Sequence, residues 1–186
     1  MTKNPIDVAI LVGSLRREST NRKLAQAMTR MAPDTLAFRF IELDALPMYN
    51  GDLEGNRPDA VNRFTAECAR AEAFLLVMPE YNRSLPAVLK NAIDWGSKPM
   101  DKNVWRDKPV AMSGTSPGAI GTAAGQQHLR QILGILSASV VGGEAYLPFS
   151  KDLFDADGNF ANAATRDFVT AYLQRFATFT AKLVAR

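Results

Sequence analysis

The segment at residues 13–21, Gly-Ser-Leu-Arg-Arg-Glu-Ser-Thr-Asn, places hydroxyl, amide and guanidinium groups directly before a stretch of helical periodicity. The first turn of a helix presents unpaired N–H groups and the positive end of the helix dipole, so it favours a bound phosphate. The side chains that could add hydrogen bonds to phosphate oxygens are Ser14, Arg16, Ser19, Thr20 and Asn21. The alternative is that Ser19 or Thr20 only caps the helix, but a cap does not explain Arg16.

The same segment also lacks two familiar phosphate-binding patterns. It has no GK[ST] sequence, which excludes a nucleotide-triphosphate loop, and it has one glycine where the GxGxxG turn for a pyrophosphate has three. A ligand with one terminal phosphate fits better, and FMN carries one.

A second segment suits a flat heterocycle. Residues 79–86, Pro-Glu-Tyr-Asn-Arg-Ser-Leu-Pro, follow a strand-like run and precede a helical one. Pro79 ends the strand and Pro86 can start the helix. Between them lie polar groups for in-plane hydrogen bonds and Tyr81 for packing on a ring face. The alternative is a plain turn with a solvated tyrosine.

A third segment, residues 113–121 (Ser-Gly-Thr-Ser-Pro-Gly-Ala-Ile-Gly), is rich in glycine. Its N–H groups could approach a ligand closely and bond to the pyrimidine end of a flavin. Such donors stabilise the negative charge that collects there in a reduced flavin. Taken alone the pattern is weak, because glycine-rich turns are common.

The elements that would position these segments alternate between strand-like and helix-like periods. The predicted strands are 6–12, 36–43, 73–78, 109–113 and an interrupted one within 139–147. The predicted helices contain Leu24 to Met31, 58–71, 85–95, 126–136 and a C-terminal apolar face of Phe168, Tyr172, Phe176, Phe179 and Leu183. This alternation predicts an α/β fold, with a parallel sheet covered by helices on both faces. Ligands of such folds lie beyond the carboxyl ends of the strands, where all three segments fall.

Composition narrows the class of protein. The chain has 186 residues, which predicts a single domain over 1–186, and its net charge of +3 comes from scattered basic residues. Neither nucleic acid nor a membrane is therefore an expected partner. Cys68 is the sole cysteine, which excludes an internal disulfide, and the sole histidine, His128, cannot build a usual metal site. The polar N-terminus leaves no room for a signal peptide, so we expect a cytoplasmic protein.

Several other polar or aromatic residues are expected to be structural. Cys68 fits the core of a helix, His128 a structural or surface position, and Trp95 and Trp105 the protein interior. Without the glycine fingerprint of a dinucleotide fold, Glu42 and Asp44 are interpreted as surface charges.

Four stretches of this sequence together resemble the NADPH-dependent FMN reductase family, which includes chromate, azo and quinone reductases. They are GSLRRESTN at 13–21, PEYNRSLPAVLKNAIDW at 79–95, SGTSPGAIGTAAG at 113–125 and QHLRQIL at 127–133. The resemblance covers most of the chain up to Leu147. It implies a flavodoxin-like three-layer sandwich whose five-stranded parallel sheet has the order 2-1-3-4-5.

The resemblance also implies the roles of particular residues. The FMN phosphate would be held by Ser14, Arg16, Ser19, Thr20 and Asn21. The isoalloxazine ring would be lined by Pro79, Glu80, Tyr81 and Asn82, and its far edge would meet Thr115 and Ser116. NADPH or NADH would donate hydride to the flavin, which would pass electrons to a small acceptor. No acid–base residue is expected because the cofactor carries the chemistry, and Arg83 would contact the NADPH phosphate.

Members of this family form homodimers or homotetramers with the flavin near an interface, so the helix at 86–95 would be interfacial. Some chromate-reducing members join their tetramer through an arginine and a tyrosine, where this chain has Ala124 and Gln127. The tetramer contact is therefore in question, whereas the flavin site is not.

The residues leave three functions open. The first is an NAD(P)H-dependent reductase of quinones, flavins, azo compounds or chromate. The second is a flavodoxin-type FMN electron carrier without NAD(P)H activity, although the first segment is unlike the TxTGxT-type turn of those carriers. The third is a module that kept the fold and lost the flavin. The acceptor, the preference between NADH and NADPH, and whether flavin is released as product also stay open.

Overall fold

The computed structural model describes residues 4–184, in which strands and helices alternate along the chain. The strands are Ile6–Val12 (β1), Leu36–Ile41 (β2), Ala73–Val77 (β3), Pro109–Ser116 (β4), Ser139–Val140 (β5) and Tyr146–Pro148 (β6). The α-helices are Thr20–Met31 (α1), Asp59–Arg70 (α2), Ala87–Gly96 (α3), Ala123–Ile135 (α4) and Ala163–Leu183 (α5). Short 3-10 turns occupy Gly51–Asn56 and Met100–Lys102.

The strands form one parallel sheet in the order β2-β1-β3-β4-β5, and β6 pairs with β4 beyond β5. All five residues of β3 are buried, as expected of a central strand that is covered on both faces. This order and the flanking helices confirm the predicted flavodoxin-like three-layer arrangement.

Alternate residues of β1 point into two separate hydrophobic layers. Val8, Ile10 and Val12 lie in the layer formed with α1 and α5. Ala9 and Leu11 lie in the layer formed with α2, α3 and α4. Since helices cover both faces, a ligand reaches the sheet at the ends of its strands, where the connecting loops lie.

Three predicted boundaries were wrong in ways that bear on the rim. β4 continues to Ser116, three residues past the predicted end, because Gly114 to Ser116 pair with β6. The predicted fifth strand is two strands, β5 and β6, because the chain leaves the sheet around Gly142 and Gly143. β2 ends at Ile41 where the sequence predicted residue 43.

The predicted apolar face of α5 was partly wrong. Phe168 and Leu183 are 44% and 48% exposed. The buried positions of this helix are Val169, Tyr172, Leu173, Phe176, Ala177 and Thr180. Among residues 4–184, no helix has both the length and the apolar composition needed to cross a membrane.

Candidate functional site

Three loops meet at the carboxyl ends of β1, β3 and β4, and we call this edge the rim. Loop 1 is residues 13–19, loop 2 is residues 78–86, and loop 3 is residues 117–122. The loops approach one another closely. A methyl group on Gly114 would overlap the carbonyl oxygen of Met78, and one on Gly13 would lie 2.9 Å from the Met78 Cβ. Glycine at these two positions therefore lets the ends of the three strands come together.

Loop 1 contains a run of hydrogen-bond donors that the protein leaves unused. Within residues 4–184, no acceptor is found for the backbone N–H groups from Ser14 to Asn21, except that of Ser19, which closes a turn over Arg17 and Glu18. The Ser14 and Thr20 hydroxyls and the Arg16 guanidinium likewise have no partner in this part of the chain. So many free donors at the start of a helix form an anion-binding surface.

Ser19 is the N-cap of α1, as the alternative interpretation of the sequence held. Its Oγ accepts a hydrogen bond of 3.2 Å from the Arg22 N–H, and the residue is 3% exposed. A hydroxyl has one donor besides its acceptor sites. The Ser19 O–H is therefore still able to donate to a ligand while its oxygen caps the helix.

Asn21 is buried in the first turn of α1 and bonds to β4. Its Nδ2 donates to the Thr115 carbonyl over 2.9 Å, and its Oδ1 accepts from the Thr115 N–H over 3.0 Å. The structure thus joins a residue of the predicted phosphate site directly to a residue of the predicted ring site.

Loop 2 contains a tight two-residue turn. Tyr81 and Ser84 exchange two backbone hydrogen bonds of 3.0 Å, and Asn82 and Arg83 between them have φ angles of 51° and 65°. Positive φ at both central residues is the pattern of a type I′ turn. This turn fixes Tyr81 and Asn82 in exposed positions at the rim, with Tyr81 47% exposed.

Glu80 bonds to the start of α4. Its side chain is 7% exposed, and Oε2 accepts from the Gly125 N–H over 2.9 Å. Thr122, the N-cap residue of that helix, provides no side-chain cap of its own. A carboxylate at a helix N-terminus is favoured by the helix dipole, so Glu80 takes over the capping role from a distant part of the chain. Its backbone carbonyl also accepts from the Ser116 Oγ over 3.3 Å, which joins loop 2 to β4.

The end of β4 contributes two buried hydroxyl residues to the rim. Thr115 is 2% exposed and Ser116 is 8% exposed. The Thr115 Oγ1 is buried and has no hydrogen-bond partner among residues 4–184. A buried hydroxyl without a partner is unfavourable. The Thr180 hydroxyl on α5 is also buried and unpaired, but only that of Thr115 lies at the rim, where a ligand could accept or donate a hydrogen bond.

Charges at the rim differ in how far they are neutralised. Arg22 forms a two-pronged ion pair with Glu42, with N–O distances of 2.8 and 2.6 Å, and this hydrogen bonding lowers the pKa of Glu42. Arg16 and Arg17 in loop 1 are exposed and have no acidic partner among the described residues. Loop 1 therefore presents uncompensated positive charge to an anion.

The remaining predicted structural residues lie where the sequence placed them. Trp95 and Trp105 are fully buried, and burial raises the pKa of the Cys68 thiol, which makes it unreactive. His128 is exposed on α4, and its Nδ1 lies 3.0 Å from the Ser84 Oγ. His128 therefore contacts loop 2 from the exposed face of α4.

Sequence reasoning missed the role of Tyr172, whose hydroxyl bonds to β4 close to the rim. Its hydroxyl donates to the Met112 carbonyl over 2.8 Å and accepts from the Met112 N–H over 3.1 Å. Met112 lies between the segments of β4 that pair with β5 and with β6. The hydroxyl therefore fills a gap in the sheet just before Thr115. The sequence signal for this role was a single tyrosine among the phenylalanines on the predicted apolar face of the C-terminal helix, because a buried tyrosine hydroxyl usually has a hydrogen-bond partner.

Comparison with known proteins agrees with this geometry. Residues 6–152 match the sequence profile of the NADPH-dependent FMN reductase family. The chain is 40% identical over 175 residues to a 2-hydroxy-1,4-benzoquinone reductase from Burkholderia sp, covering 94% of this chain and 96% of the relative. It is 45% identical over 174 residues to a quinone reductase from Pseudomonas putida, covering 92% and 93%.

A solved structure shows the same likeness in three dimensions. The flavoenzyme NAD(P)H:(acceptor) oxidoreductase FerB from Paracoccus denitrificans has a TM-score of 0.90 and 36% sequence identity, covering 95% of this chain and 98% of that one. These matches confirm the predicted enzyme class and the predicted use of FMN and NAD(P)H. The chain belongs to the NADPH-dependent FMN reductase family.

Proposed function

We propose that this protein oxidises NAD(P)H and passes the reducing equivalents, through FMN bound at the rim, to a quinone-type acceptor. The observation that carries the proposal is that, among residues 4–184, seven of the eight N–H groups from Ser14 to Asn21 have no acceptor and lie at the same rim as the unpaired buried hydroxyl of Thr115. FMN has a phosphate at one end and a ring with polar atoms at the other. The free N–H groups of loop 1 fit the phosphate, and the Thr115 hydroxyl fits the ring edge.

The phosphate would be held by the side chains of Ser14, Arg16, Ser19 and Thr20 together with the free N–H groups of loop 1. The ring would be lined by the segment from Pro79 to Asn82 and by Thr115 and Ser116. The chemistry that FMN supplies when bound is hydride uptake from a nicotinamide and release of one or two electrons. The protein residues position the reactants, and Tyr81 offers an exposed aromatic face. The Arg83 side chain lies 3.4 Å from the Glu80 carboxylate but is 67% exposed, so it can offer a positive charge to the NADPH phosphate.

The rim also favours an apolar, planar acceptor. Large hydrophobic side chains are exposed at the carboxyl ends of the strands, namely Leu15, Tyr81, Ile120 and Phe149. A quinone would bury apolar surface against them, whereas chromate would gain nothing from them. The names of the quinone-reducing relatives support the same choice. Steady-state kinetics with quinones, azo dyes, chromate and free FMN would test it, and a higher kcat/KM for chromate than for every quinone would contradict it.

Anaerobic mixing with NADPH distinguishes the reductase from an electron carrier. We expect the FMN-loaded protein to be yellow and to bleach on adding NADPH. A yellow protein that keeps its colour would instead be a flavodoxin-type carrier, and a chain that stays colourless after incubation with FMN would be a module without flavin.

Replacing Arg16 tests the phosphate site. Arg16→Ala removes one charge-assisted hydrogen bond, so we expect FMN binding to weaken by about 1.5–3 kcal/mol. Fluorescence titration of the apoprotein with FMN measures this. Arg70→Ala is the matched control, because Arg70 is an exposed arginine in the last turn of α2, at the opposite end of the sheet. Equal FMN affinity in Arg16→Ala and Arg70→Ala would remove Arg16 from the site.

The predicted homodimer or homotetramer stays a prediction, which the mass of the protein in solution would check. Gln127 stands at one of the two positions through which some family members join their tetramer. Its amide donates within its own chain, to the Glu144 carboxylate over 2.8 Å and to the Tyr146 hydroxyl over 3.0 Å.

A further inference from the structure

The side chain of Asn21 occupies a position that a neighbouring strand would otherwise fill. Its carboxamide both donates to and accepts from the backbone of Thr115, over 2.9 and 3.0 Å. This two-way exchange is the pattern by which one residue of a sheet pairs with an adjacent strand. Asn21 is 4% exposed and Thr115 is 2% exposed, so water does not compete for these bonds.

The need for this pairing follows from where β3 ends. Beyond β3, the Met78 N–H still donates to the Ser113 carbonyl over 3.1 Å, and the chain then turns away at Pro79. Backbone groups two residues apart on a strand point to the same side. Thr115 therefore directs its N–H and carbonyl toward the place that β3 has left, and the carboxamide of Asn21 pairs with both.

The consequence is a fixed link between the two halves of the site. Asn21 belongs to the first turn of α1, whose free N–H groups form the anion-binding surface. Thr115 carries a buried hydroxyl that has no partner in the described part of the chain. The two residues are 94 positions apart in the chain, and the amide pair sets how far the anion-binding turn lies from the hydroxyl.

We propose that Asn21 is a positioning residue for the flavin ring, which acts by holding Thr115 in place. This inference rests on the proposed function and changes the role of Asn21 that the family resemblance implies. A residue that contacts only the phosphate affects ligands that carry one. A residue that positions Thr115 affects every ligand that carries the ring, with or without a phosphate.

Riboflavin, which has the ring and no phosphate, separates these two roles. We expect Asn21→Ala to weaken the binding of FMN and of riboflavin to the apoprotein by the same factor, roughly tenfold or more. We expect Arg16→Ala to weaken FMN binding alone. Riboflavin affinity equal to that of the unsubstituted protein, alongside a loss of FMN affinity in Asn21→Ala, would overturn the proposal. If the unsubstituted protein binds neither flavin, the proposed function itself fails.

Two further measurements keep the proposal testable if Asn21→Ala folds poorly. Thr115→Val removes the hydroxyl, keeps the backbone pairing and has no internal hydrogen bond to lose. We expect it to weaken both flavins equally, and unchanged affinity for both would overturn the proposal. Amide hydrogen exchange of Thr115 in the apoprotein gives a readout without flavin. It should be slow in the unsubstituted protein and in Arg16→Ala, and fast in Asn21→Ala or Asn21→Leu, which both lack the Oδ1 acceptor for this N–H. Slow exchange in the Asn21 variants would contradict the pairing.

Discussion

The two ends of the same sheet differ in how their polar groups are used. At the amino end, the Asp7 carboxylate accepts from the Arg39 Nε over 2.9 and 3.1 Å, and the Asp7 N–H donates to Glu72 over 3.0 Å. There Lys108 donates to the carbonyls of Cys68 and Ala69, the last turn of α2, over 2.8 and 2.7 Å. These polar groups have partners within the protein, although the Arg39 Nη1, 3.6 Å from the Glu67 carboxylate, forms no hydrogen bond among residues 4–184.

At the carboxyl end, seven of the eight backbone N–H groups from Ser14 to Asn21 and the buried Thr115 hydroxyl have no partner among residues 4–184. Single buried polar atoms without a hydrogen bond also occur away from the rim, such as the Arg39 Nη1 and the Thr180 Oγ1. The difference teaches that a run of unpaired donors beside an unpaired hydroxyl marks the functional edge, whereas most polar groups at the amino end pair with one another and stabilise the fold.

The close approach at Gly114 is the feature of the rim whose loss should have the largest effect. In Gly114→Ala the new methyl group would overlap the Met78 carbonyl, and the backbone of two strand ends would have to separate. We expect unfolding free energy to fall by about 3 kcal/mol or more, with loss of FMN binding. Chemical denaturation and flavin titration measure the two effects.

Gly118 in loop 3 provides the control for that substitution. Apart from its two chain neighbours, no atom of residues 4–184 lies within 4 Å of a methyl group at Gly118. Gly118→Ala should therefore unfold at nearly the same denaturant concentration as the unsubstituted protein. Equal stability of Gly114→Ala and Gly118→Ala would show that β3 and β4 do not approach each other as described.

Tyr172 should give the next largest effect, because Tyr172→Phe leaves the N–H and carbonyl of Met112 buried without a partner. We expect a loss of about 2–3 kcal/mol in unfolding free energy at neutral pH. Tyr146→Phe, which alters a half-buried hydroxyl on β6, should change stability by less than about 0.5 kcal/mol. A loss in Tyr172→Phe no larger than in Tyr146→Phe would refute the role of the buried hydroxyl.

The pH dependence of stability tests Tyr172 in a second way. Burial raises the pKa of Tyr172 from 10.0 to about 12, so the unfolded chain loses this proton at lower pH than the folded protein does. The stability that the neutral hydroxyl contributes is therefore present below pH 10 and is lost between pH 10 and about 12. By pH 11 the loss is about 1.4 kcal/mol. Denaturation curves at pH 8 and pH 11 should show this component in the unsubstituted protein and not in Tyr172→Phe.

The sequence predicted strands correctly where their hydrophobic pattern matches their burial in the structure. β3 and the part of β1 after Asp7 are continuous apolar runs buried on both faces, so their positions followed from the apolar pattern alone. The end of β4 could not be predicted in this way. Its last residues, Gly-Thr-Ser, have the composition of a loop, and they are a strand because β6 and Asn21 supply distant hydrogen bonds.

The same limit applies to the site. The segments of the rim were predictable because the carboxyl ends of parallel strands converge, whichever residues they contain. Which side chains would be used internally was not predictable. Glu80 caps α4 and Asn21 pairs with Thr115 across 45 and 94 residues of sequence, and no local spacing encodes such contacts.

The smallest expected effect comes from the amino end and completes the comparison with Arg16. Arg39→Met removes the bonds to Asp7 while it keeps most of the aliphatic side chain. The pair is partly exposed, so we expect a loss of about 1 kcal/mol in unfolding free energy, less at high salt, and unchanged FMN affinity. Arg16→Ala should show the converse, weaker FMN binding with unchanged stability of the apoprotein, because Arg16 has no hydrogen-bond or ion-pair partner to lose within residues 4–184. Urea denaturation and FMN titration of both variants give two unfolding free energies and two FMN affinities. If Arg39→Met weakened FMN binding as much as Arg16→Ala, the two ends of the sheet would not be functionally distinct.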